Sequence, residues 1–327
     1  MTAKTVRNTQ RISPDDMTDA IWDSGYFLER RVAISLRKAG YKVVTNPVFT
    51  DRENNKTLEY DVYAFKEIPV YEKGSYAIYP TLICECKNYS QPVVFFVQED
   101  ETFEPLKDEV RVSGIPSKIW KRNKYISVQE FTDVESFHHY CIPEAPVSTQ
   151  CCTFGRQNEK FPWHASYGPD TYDTFKKTLK ALEYEIDQDF KNMSQWFAPR
   201  ETEREFIDLS FYYPVAIFQG DIYAAHIYKD EPQSKHDLAL KPREHIQFNP
   251  YFFSFYDNEI ISYHMDIISE KYLQPYLKMI DHEMAAIKKT LEQHKDIVLF
   301  SVDKMVEDCQ SLKEKPDTYR KHLEYQF

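Results

Sequence analysis

Residues 79–89 read YPTLICECKNY, and the interpretation of the whole chain begins with this stretch. The apolar run at 82–84, bounded by turn-forming residues, predicts a short buried strand. Because successive side chains of a strand point to opposite faces, Glu85 and Lys87 lie on the same face. Removing a carboxylate and an ammonium from water is costly, so this pair within a buried strand requires an explanation.

Two explanations for the pair are open. An exposed ion pair on an edge strand is common and contributes little stability. The upstream sequence favours a catalytic role instead. A second apolar strand, LEYDVYAF at 58–65, is interrupted by Asp61, and a predicted helix at 26–41 has one early acid, Glu29. Three acids and one lysine, each set into an apolar element, therefore follow one another in a fixed order.

This order resembles the PD-(D/E)xK nuclease superfamily, and most closely its Mrr-like, restriction-endonuclease-like branch. The resemblance covers roughly residues 24–90 and rests on GYFLERRVAISLRKAGYKVV, EYDVYAF and ICECKNY. The proline that gives the superfamily its name is absent before Asp61, where Tyr60 stands. The residues that match the helix acid, the strand acid and the paired acid and lysine are Glu29, Asp61, Glu85 and Lys87.

The resemblance implies an α/β fold, with a restriction-endonuclease-like mixed central sheet flanked by helices. It implies metal-dependent hydrolysis of DNA phosphodiester bonds, by an endonuclease in defence against foreign DNA. It also implies a Mg²⁺ or Mn²⁺ site formed by Asp61, Glu85 and the backbone carbonyl of Cys86, with Glu29 at a second metal or linked through a water. The expected partners are DNA, with either a second copy of the chain or a separate ATPase.

The residue types suit this chemistry. A divalent cation lowers the pKa of bound water and neutralises phosphate oxygens, and Mg²⁺ prefers carboxylate ligands. Lys87 beside carboxylates is expected to stay cationic and to orient the attacking water rather than act as a base. Glu29 also has a simpler interpretation, as an exposed helix residue paired with Arg30 or Arg31.

Two other functions stay open. The chain is either a catalytically inactive module that kept the fold for nucleic-acid binding or assembly, or a nuclease acting on RNA or on free ends. The acidic net charge mildly favours the inactive module, whereas the presence of all three acids and the lysine argues against it.

Composition narrows the class of protein. The 327 residues are 42% hydrophobic and 28% charged, as in globular proteins, and the net charge of −11 argues against coating nucleic acid through bulk charge. Six cysteines in a chain of this size suggest no disulfide framework. The N-terminal residues lack the apolar run of a signal peptide, and no stretch of 18 apolar residues exists. We expect a reduced, cytoplasmic chain without a membrane segment.

The resemblance also implies a single nuclease domain with an insertion, because the helix that soon follows the paired acid and lysine in the family is predicted here only at 171–197. Residues 16–90 and 166–300 form the predicted core, 91–165 an inserted subdomain, and 301–327 a loosely ordered charged tail. Residues 171–197 predict a long helix, and QGD at 219–221 predicts a hairpin between two strands. The segment from about 260 to 294 is predicted to be helical.

Several further clusters have weaker interpretations. Basic residues lie at 30–42 and at 118–124, and each group is either a phosphate-binding strip or a solvated face. A stripe of Ile280, Met284, Ile287 and Leu291 either packs on the core or forms a dimer interface. A third cluster has metal-ligating side chains, but its spacing fits no zinc pattern and favours a structural role. Its members are His138, His139, Cys141, Cys151 and Cys152.

Overall fold

The computed structural model describes residues 11–71, 75–97, 110–142, 145–156, 160–166, 169–196, 206–227, 234–254 and 259–313. Its helices are α1 (Pro14–Asp23), α2 (Tyr26–Lys38), α3 (Val128–Thr132), α4 (Pro169–Trp196), α5 (Leu273–Gln293) and α6 (Lys295–Lys313). Its first ten strands are β1 (Lys42–Thr45), β2 (Val48–Asp51), β3 (Lys56–Glu59), β4 (Val62–Phe65), β5 (Ile68–Pro69), β6 (Ser75–Lys87), β7 (Val93–Val97), β8 (Val112–Ile115), β9 (Lys118–Lys121) and β10 (Lys124–Ser127). The others are β11 (Val147–Gly155), β12 (His164–Ser166), β13 (Phe206–Phe218), β14 (Ile222–Ile227), β15 (Leu238–Arg243), β16 (His245–Phe248), β17 (Tyr251–Ser254), β18 (Glu259–Ser262) and β19 (Met265–Ser269).

Thirteen of the described strands form one mixed sheet flanked by helices, so the chain is an α/β protein. The main strand order is β1-β4-β6-β13-β19-β16-β11-β7-β14-β15, and in addition β5 pairs with β6, β8 with β13 and β12 with β11. The strand that contains Glu85 lies between β4 and β13 and is therefore central, not an edge strand. Among the described helices, none is long and apolar enough to cross a membrane.

The first part of the chain folds as a helix followed by an antiparallel meander, β1-β4-β6. The strand predicted at 58–65 is shorter than expected, because the chain leaves the sheet between β1 and β4 to form the β2-β3 hairpin. The strand that contains Glu85 is instead longer than predicted and begins at Ser75. The chain leaves the sheet at Asn46, which has a φ of 54°, and returns to the sheet at Asp61. The pairing of β4 with β6 therefore ends next to Asp61, which the sequence predicted to be a site residue.

The predicted hairpin at 219–221 is wrong, although the two strands on either side exist. β13 pairs with β6 and β19, whereas β14 pairs with β7 and β15. The two strands are five steps apart in the sheet yet joined by three residues, so the sheet curls back until their ends meet. Gly220 is required there, since a Cβ on it would lie 2.7 Å from the carbonyl oxygen of Tyr89.

The segment 91–165 contributes β7, β8 and β11 to the main sheet, whereas the sequence predicted a separate subdomain there. Val128, Phe131 and Tyr140 of the same segment are buried in the main hydrophobic core. The loose local pattern was misleading, because β7, β8 and β11 each pair with a strand more than 90 residues later in the chain, β14, β13 and β16 respectively. Residues 98–109 of the predicted insertion lie outside the described part.

Two predictions for the C-terminal part are also wrong in detail. The predicted helix at 260–294 begins only at Leu273, and β18 and β19 precede it. Residues 301–313, predicted to be a loose tail, belong to α6, where Val302 and Met305 are buried. Residues 314–327 of the predicted tail lie outside the described part.

Helices cover both faces of the sheet around β6. Cys84 and Cys86 face a core shared with α2 and α5, which includes Leu28 and Val32. The opposite face, with Ile83, packs against α4 through its own cluster of apolar side chains. The stripe of α5 that offered a dimer interface is fully buried in the first of these cores.

An ionic network crosses the core between β19, α5 and the loop before β11. His139 Nδ1 lies 2.7 Å from Glu283 Oε1, and its Nε2 lies 3.1 Å from Asp266 Oδ2. Asp266 also contacts His245 Nε2 at 2.7 Å and accepts a hydrogen bond from the Tyr276 hydroxyl at 2.7 Å. Each of these five side chains is buried, so the network holds charge away from water and stabilises it with hydrogen bonds.

The zinc interpretation of the histidine–cysteine cluster is not supported by this geometry. His138 and His139 lie close to Glu283, whereas Cys151 lies in a different core. Both ring nitrogens of His139 already face carboxylates, and His138 Nδ1 accepts the backbone N–H of Tyr140 at 3.2 Å. The two histidines therefore belong to the buried network described above, and the cysteines do not complete a zinc site with them.

This network predicts a stability maximum near pH 6.5. Burial alone would lower the pKa of His139, but Glu283 and Asp266 raise it to about 10, so its stabilisation is lost as the pH rises from about 6.5 towards 10. Burial lowers the pKa of His138 to about 4, so the unfolded chain gains a proton first as the pH falls below about 6.5, and stability falls again. We expect urea unfolding to show a loss on the order of 3 kcal/mol between pH 6.5 and 9.

The matched control is Glu283→Gln, which removes one of the carboxylates that raise the pKa of His139. Its unfolding free energy should change less between pH 6.5 and 9 than that of the wild type. If the unfolding free energy of both proteins falls equally between pH 6.5 and 9, His139 is not the cause of the loss of stability above pH 6.5.

Candidate functional site

The candidate site begins where β4 leaves β6. The last paired residues are Val62 and Cys84, and beyond them the side chain of Asp61 replaces the missing backbone partner. Asp61 Oδ2 accepts the backbone N–H of Cys86 at 2.6 Å. Because the N–H and C=O of one strand residue point to the same side, the Cys86 carbonyl also faces the Asp61 side of β6.

Glu85 is fully buried, with no exposed surface, on the face of β6 covered by α4. Its Oε1 forms ion pairs with Lys87 Nζ at 3.0 Å and with Lys177 Nζ at 2.5 Å. Its Oε2 has no hydrogen-bond donor among the described residues. Burial and then the charge of Asp61 raise the pKa of Glu85, against the attraction of the two lysines.

Glu29 reaches the same place from α2, although its helix lies on the other face of the sheet. Burial and then the charges of Asp61 and Glu85 raise the pKa of Glu29, which places the three carboxylates close together. Asn46 acts in the opposite sense by donating a hydrogen bond to Glu29. Arg31 does not pair with Glu29, because it forms a bidentate ion pair with Glu270 at 2.6 and 2.8 Å.

Lys87 remains cationic in this site. Burial alone would lower its pKa, but Glu85 and then Asp61 outweigh that effect and raise it. Its side chain is 31% exposed, so the ammonium lies at the mouth of the site while the carboxylate of Glu85 lies beneath it. The structure thus brings together all four side chains that the sequence predicted.

Lys177 is a site residue that the sequence analysis missed. It lies on α4, 92 positions after Glu85, and its side chain is 27% exposed. The neighbouring Lys176 and Lys180 instead bind Glu53 of the β2-β3 hairpin, and Lys180 also binds Asp51 at 2.7 Å. The only available signal was a lysine on the sheet-facing side of a helix whose apolar stripe was already clear.

The residues present fit a divalent cation. Three carboxylates face two ammonium groups, which leaves one excess negative charge in a largely buried site, and one buried carboxylate oxygen lacks a donor. Carboxylate and carbonyl oxygens are the ligands that Mg²⁺ and Mn²⁺ prefer. Such an ion would offset the burial and the carboxylate repulsion that raise the pKa of Glu85 and Glu29.

The two basic clusters differ in their position relative to this site. On α2, Arg30, Arg37 and Lys38 are exposed on the helix that also contains Glu29. The cluster at 118–124 lies instead in the β9-β10 hairpin, which packs on α6 through Trp120. Only the α2 cluster shares an element with the site.

Comparisons with models of known protein families, with curated protein sequences and with solved structures find no match to this chain.

Proposed function

We propose that this protein is a metal-dependent nuclease with a restriction-endonuclease-like fold, which hydrolyses phosphodiester bonds in DNA. The observation that carries the proposal is the fully buried carboxylate of Glu85, with an unpartnered oxygen, beside Asp61 and beneath Lys87. A fully buried carboxylate oxygen that no donor reaches costs free energy unless a cation completes it.

Each side chain has a role that follows from its position. Asp61, Glu85 and the Cys86 carbonyl would hold the metal, and Glu29 would hold a second ion or a metal-bound water. When bound, Mg²⁺ or Mn²⁺ lowers the pKa of its water and neutralises the phosphate. Lys87 orients the attacking water and offsets charge on the scissile phosphate, because its raised pKa keeps it protonated.

The arrangement of elements supports the same proposal. A helix followed by a three-stranded meander, with the acids on the second and third strands of that meander, is the layout that the family resemblance implies. α2, β1, β4 and β6 have this layout, with Asp61 immediately before β4 and Glu85 near the end of β6. A role in defence against foreign DNA rests on the resemblance alone.

The test is cleavage of supercoiled and linear plasmid with Mg²⁺ or Mn²⁺, together with calorimetric titration of Mn²⁺ into the metal-free protein. We expect both plasmid forms to be cut and about one or two ions to bind per chain. Cleavage of the linear form alone would indicate that a free end is needed. Cleavage of RNA alone would refute the DNA substrate, and a protein that neither cuts nor binds metal would refute the nuclease.

One observation favours the inactive module instead. Two lysines contact the same oxygen of Glu85, and such an ion cluster stabilises a carboxylate without a metal. In that case the protein would bind nucleic acid, yet Mn²⁺ titration would release no heat that depends on Glu85. Metal binding therefore separates the two proposals even if a trigger for cleavage is missing.

A further inference from the structure

The helix α1 is exposed along its length within the described part of the chain. Every residue from Pro14 to Trp22 is exposed, and Trp22 contacts Phe27 of α2 with ring centroids 5.3 Å apart. An isolated helix of ten residues is only marginally stable in water, and most helices of this length are stabilised by packing of an apolar face. The exposed apolar side chains of α1 are therefore candidates for contact with a partner.

Six large apolar side chains are exposed on α1 and α2, with exposed fractions from 36% to 69%. They are Met17, Ile21, Trp22, Tyr26, Phe27 and Ile34. Met17 and Ile21 are about one turn apart on α1, and Phe27 and Ile34 are about two turns apart on α2, so each helix has an exposed apolar face. Clustered apolar side chains on a surface mark a site of interaction. We call the exposed faces of these two helices the α1-α2 surface.

The two helices of the α1-α2 surface differ in charge. α1 contains four aspartates, among them Asp15 and Asp19, and no basic residue. On α2 the exposed Arg30, Arg37 and Lys38 lie on the same side of the helix as its exposed apolar residues, by their spacing of three, four and seven positions. None of these five charged side chains forms an ion pair with another described residue.

An acidic helix beside a basic helix makes this surface complementary to itself. In a symmetric pair the same surface of both copies meets, and α1 of each copy then lies on α2 of the other. This arrangement covers the apolar side chains of both copies and brings opposite charges together. A nucleic acid would instead be repelled by the aspartates and would leave the apolar side chains of α1 in water.

We propose that the α1-α2 surface is the interface of a homodimer, in which α1 of each copy packs on α2 of the other. The proposal goes beyond the nuclease function and does not depend on it, because neither a metal nor a substrate takes part. The stripe of α5 that offered a different dimer interface is buried in the core and is not available.

The first test is the molar mass of the full chain, measured by light scattering over a series of concentrations without DNA or metal. We expect the mass of two chains, and Trp22→Ala should raise the dissociation constant of the dimer by about thirtyfold or more. Phe300→Ala removes an exposed aromatic side chain from α6, outside this surface, and should dimerise as the wild type does. A wild type that stays monomeric, or a dimer unaffected by Trp22→Ala, would overturn the proposal.

The second test exchanges charges between the two helices. One variant combines Asp15→Lys with Asp19→Lys, and the other combines Arg30→Glu with Arg37→Glu. Each variant alone should be monomeric, because like charges then face each other in both halves of the interface. An equimolar mixture should recover the mass of two chains, because every α1 then meets an α2 of opposite charge.

The mixture separates a second copy from any other partner. Two monomeric variants that do not associate when mixed would overturn the proposal and assign the basic face of α2 to another ligand, such as nucleic acid. All the substituted side chains are exposed, so each variant should keep the circular dichroism spectrum of the wild type. If a charge variant does not fold, the comparison of Trp22→Ala with Phe300→Ala decides.

Discussion

Glu85→Gln should reduce metal-dependent cleavage of plasmid DNA by about a thousandfold or more, while the protein remains folded. The amide has the shape of the carboxylate but no charge, so the metal site proposed above would lose its most buried anionic ligand. A divalent cation contributes several kcal/mol of transition-state stabilisation, and this contribution is lost with the ion. The measurement is the initial rate of nicking of supercoiled plasmid, with Mn²⁺ affinity from calorimetry alongside.

The variant should not be less stable than the wild type. Burial and Asp61 raise the pKa of Glu85, which means that its charge is unfavourable in the metal-free site. Removing that charge relieves the repulsion, although the two lysines lose their contacts with it. An unchanged or higher unfolding temperature would show that lost activity is not lost folding.

Glu67→Gln is the matched control, because it makes the same chemical change at an exposed position paired only at 3.6 Å with Lys42. Its cleavage rate should equal that of the wild type. Retention of cleavage within about threefold by Glu85→Gln would remove the carboxylate from the mechanism and direct attention to another site.

The sequence was most informative for features that depend on residues close together in the chain. Alternation along one strand was enough to put Glu85 and Lys87 on the same face, and α2 begins and ends close to its predicted limits. Gly40 ends that helix, with a φ of 90° that suits glycine. The site acids on α2, β4 and β6 lie within 57 residues, so their local elements determine most of their arrangement.

Non-local pairing could not be predicted in the same way. QGD at 219–221 has hairpin composition, but the strands on either side pair with β6 and β7, which are more than 100 residues earlier. Lys177 was missed for a similar reason. A lysine run on a helix is usually solvated, and only packing of α4 over β6 turns this lysine towards Glu85.

The sequence analysis missed the strand around Asp266 for a different reason. The segment around it, SYHMDIIS, is short, apolar and without clear periodicity, so helix and strand were hard to distinguish from composition. Its neighbours in space are His139 and His245, from two distant segments. A buried charge of this kind is visible in a sequence only as an acid inside an apolar run.

Asp266→Asn is expected to lower the unfolding free energy by about 3–5 kcal/mol, the typical effect of breaking a buried ion pair. The carboxylate receives hydrogen bonds from the hydroxyls of Tyr140 and Tyr276 and lies against His139 and His245. Asparagine keeps the shape but removes the charge that His139 needs. Urea unfolding at pH 6.5, where the wild-type network is most stable, gives the largest difference.

The matched control for this prediction is Asp303→Asn on α6, where the aspartate is exposed and its loss should change stability by less than about 0.5 kcal/mol. The pH dependence adds an independent criterion. Without Asp266, the pKa of His139 should fall, so the variant should lose less stability than the wild type between pH 6.5 and 9. The variant could instead lose much unfolding free energy at pH 6.5 yet show the same change as the wild type between pH 6.5 and 9. Asp266 would then act through packing and its tyrosine hydrogen bonds, not through the charge of His139.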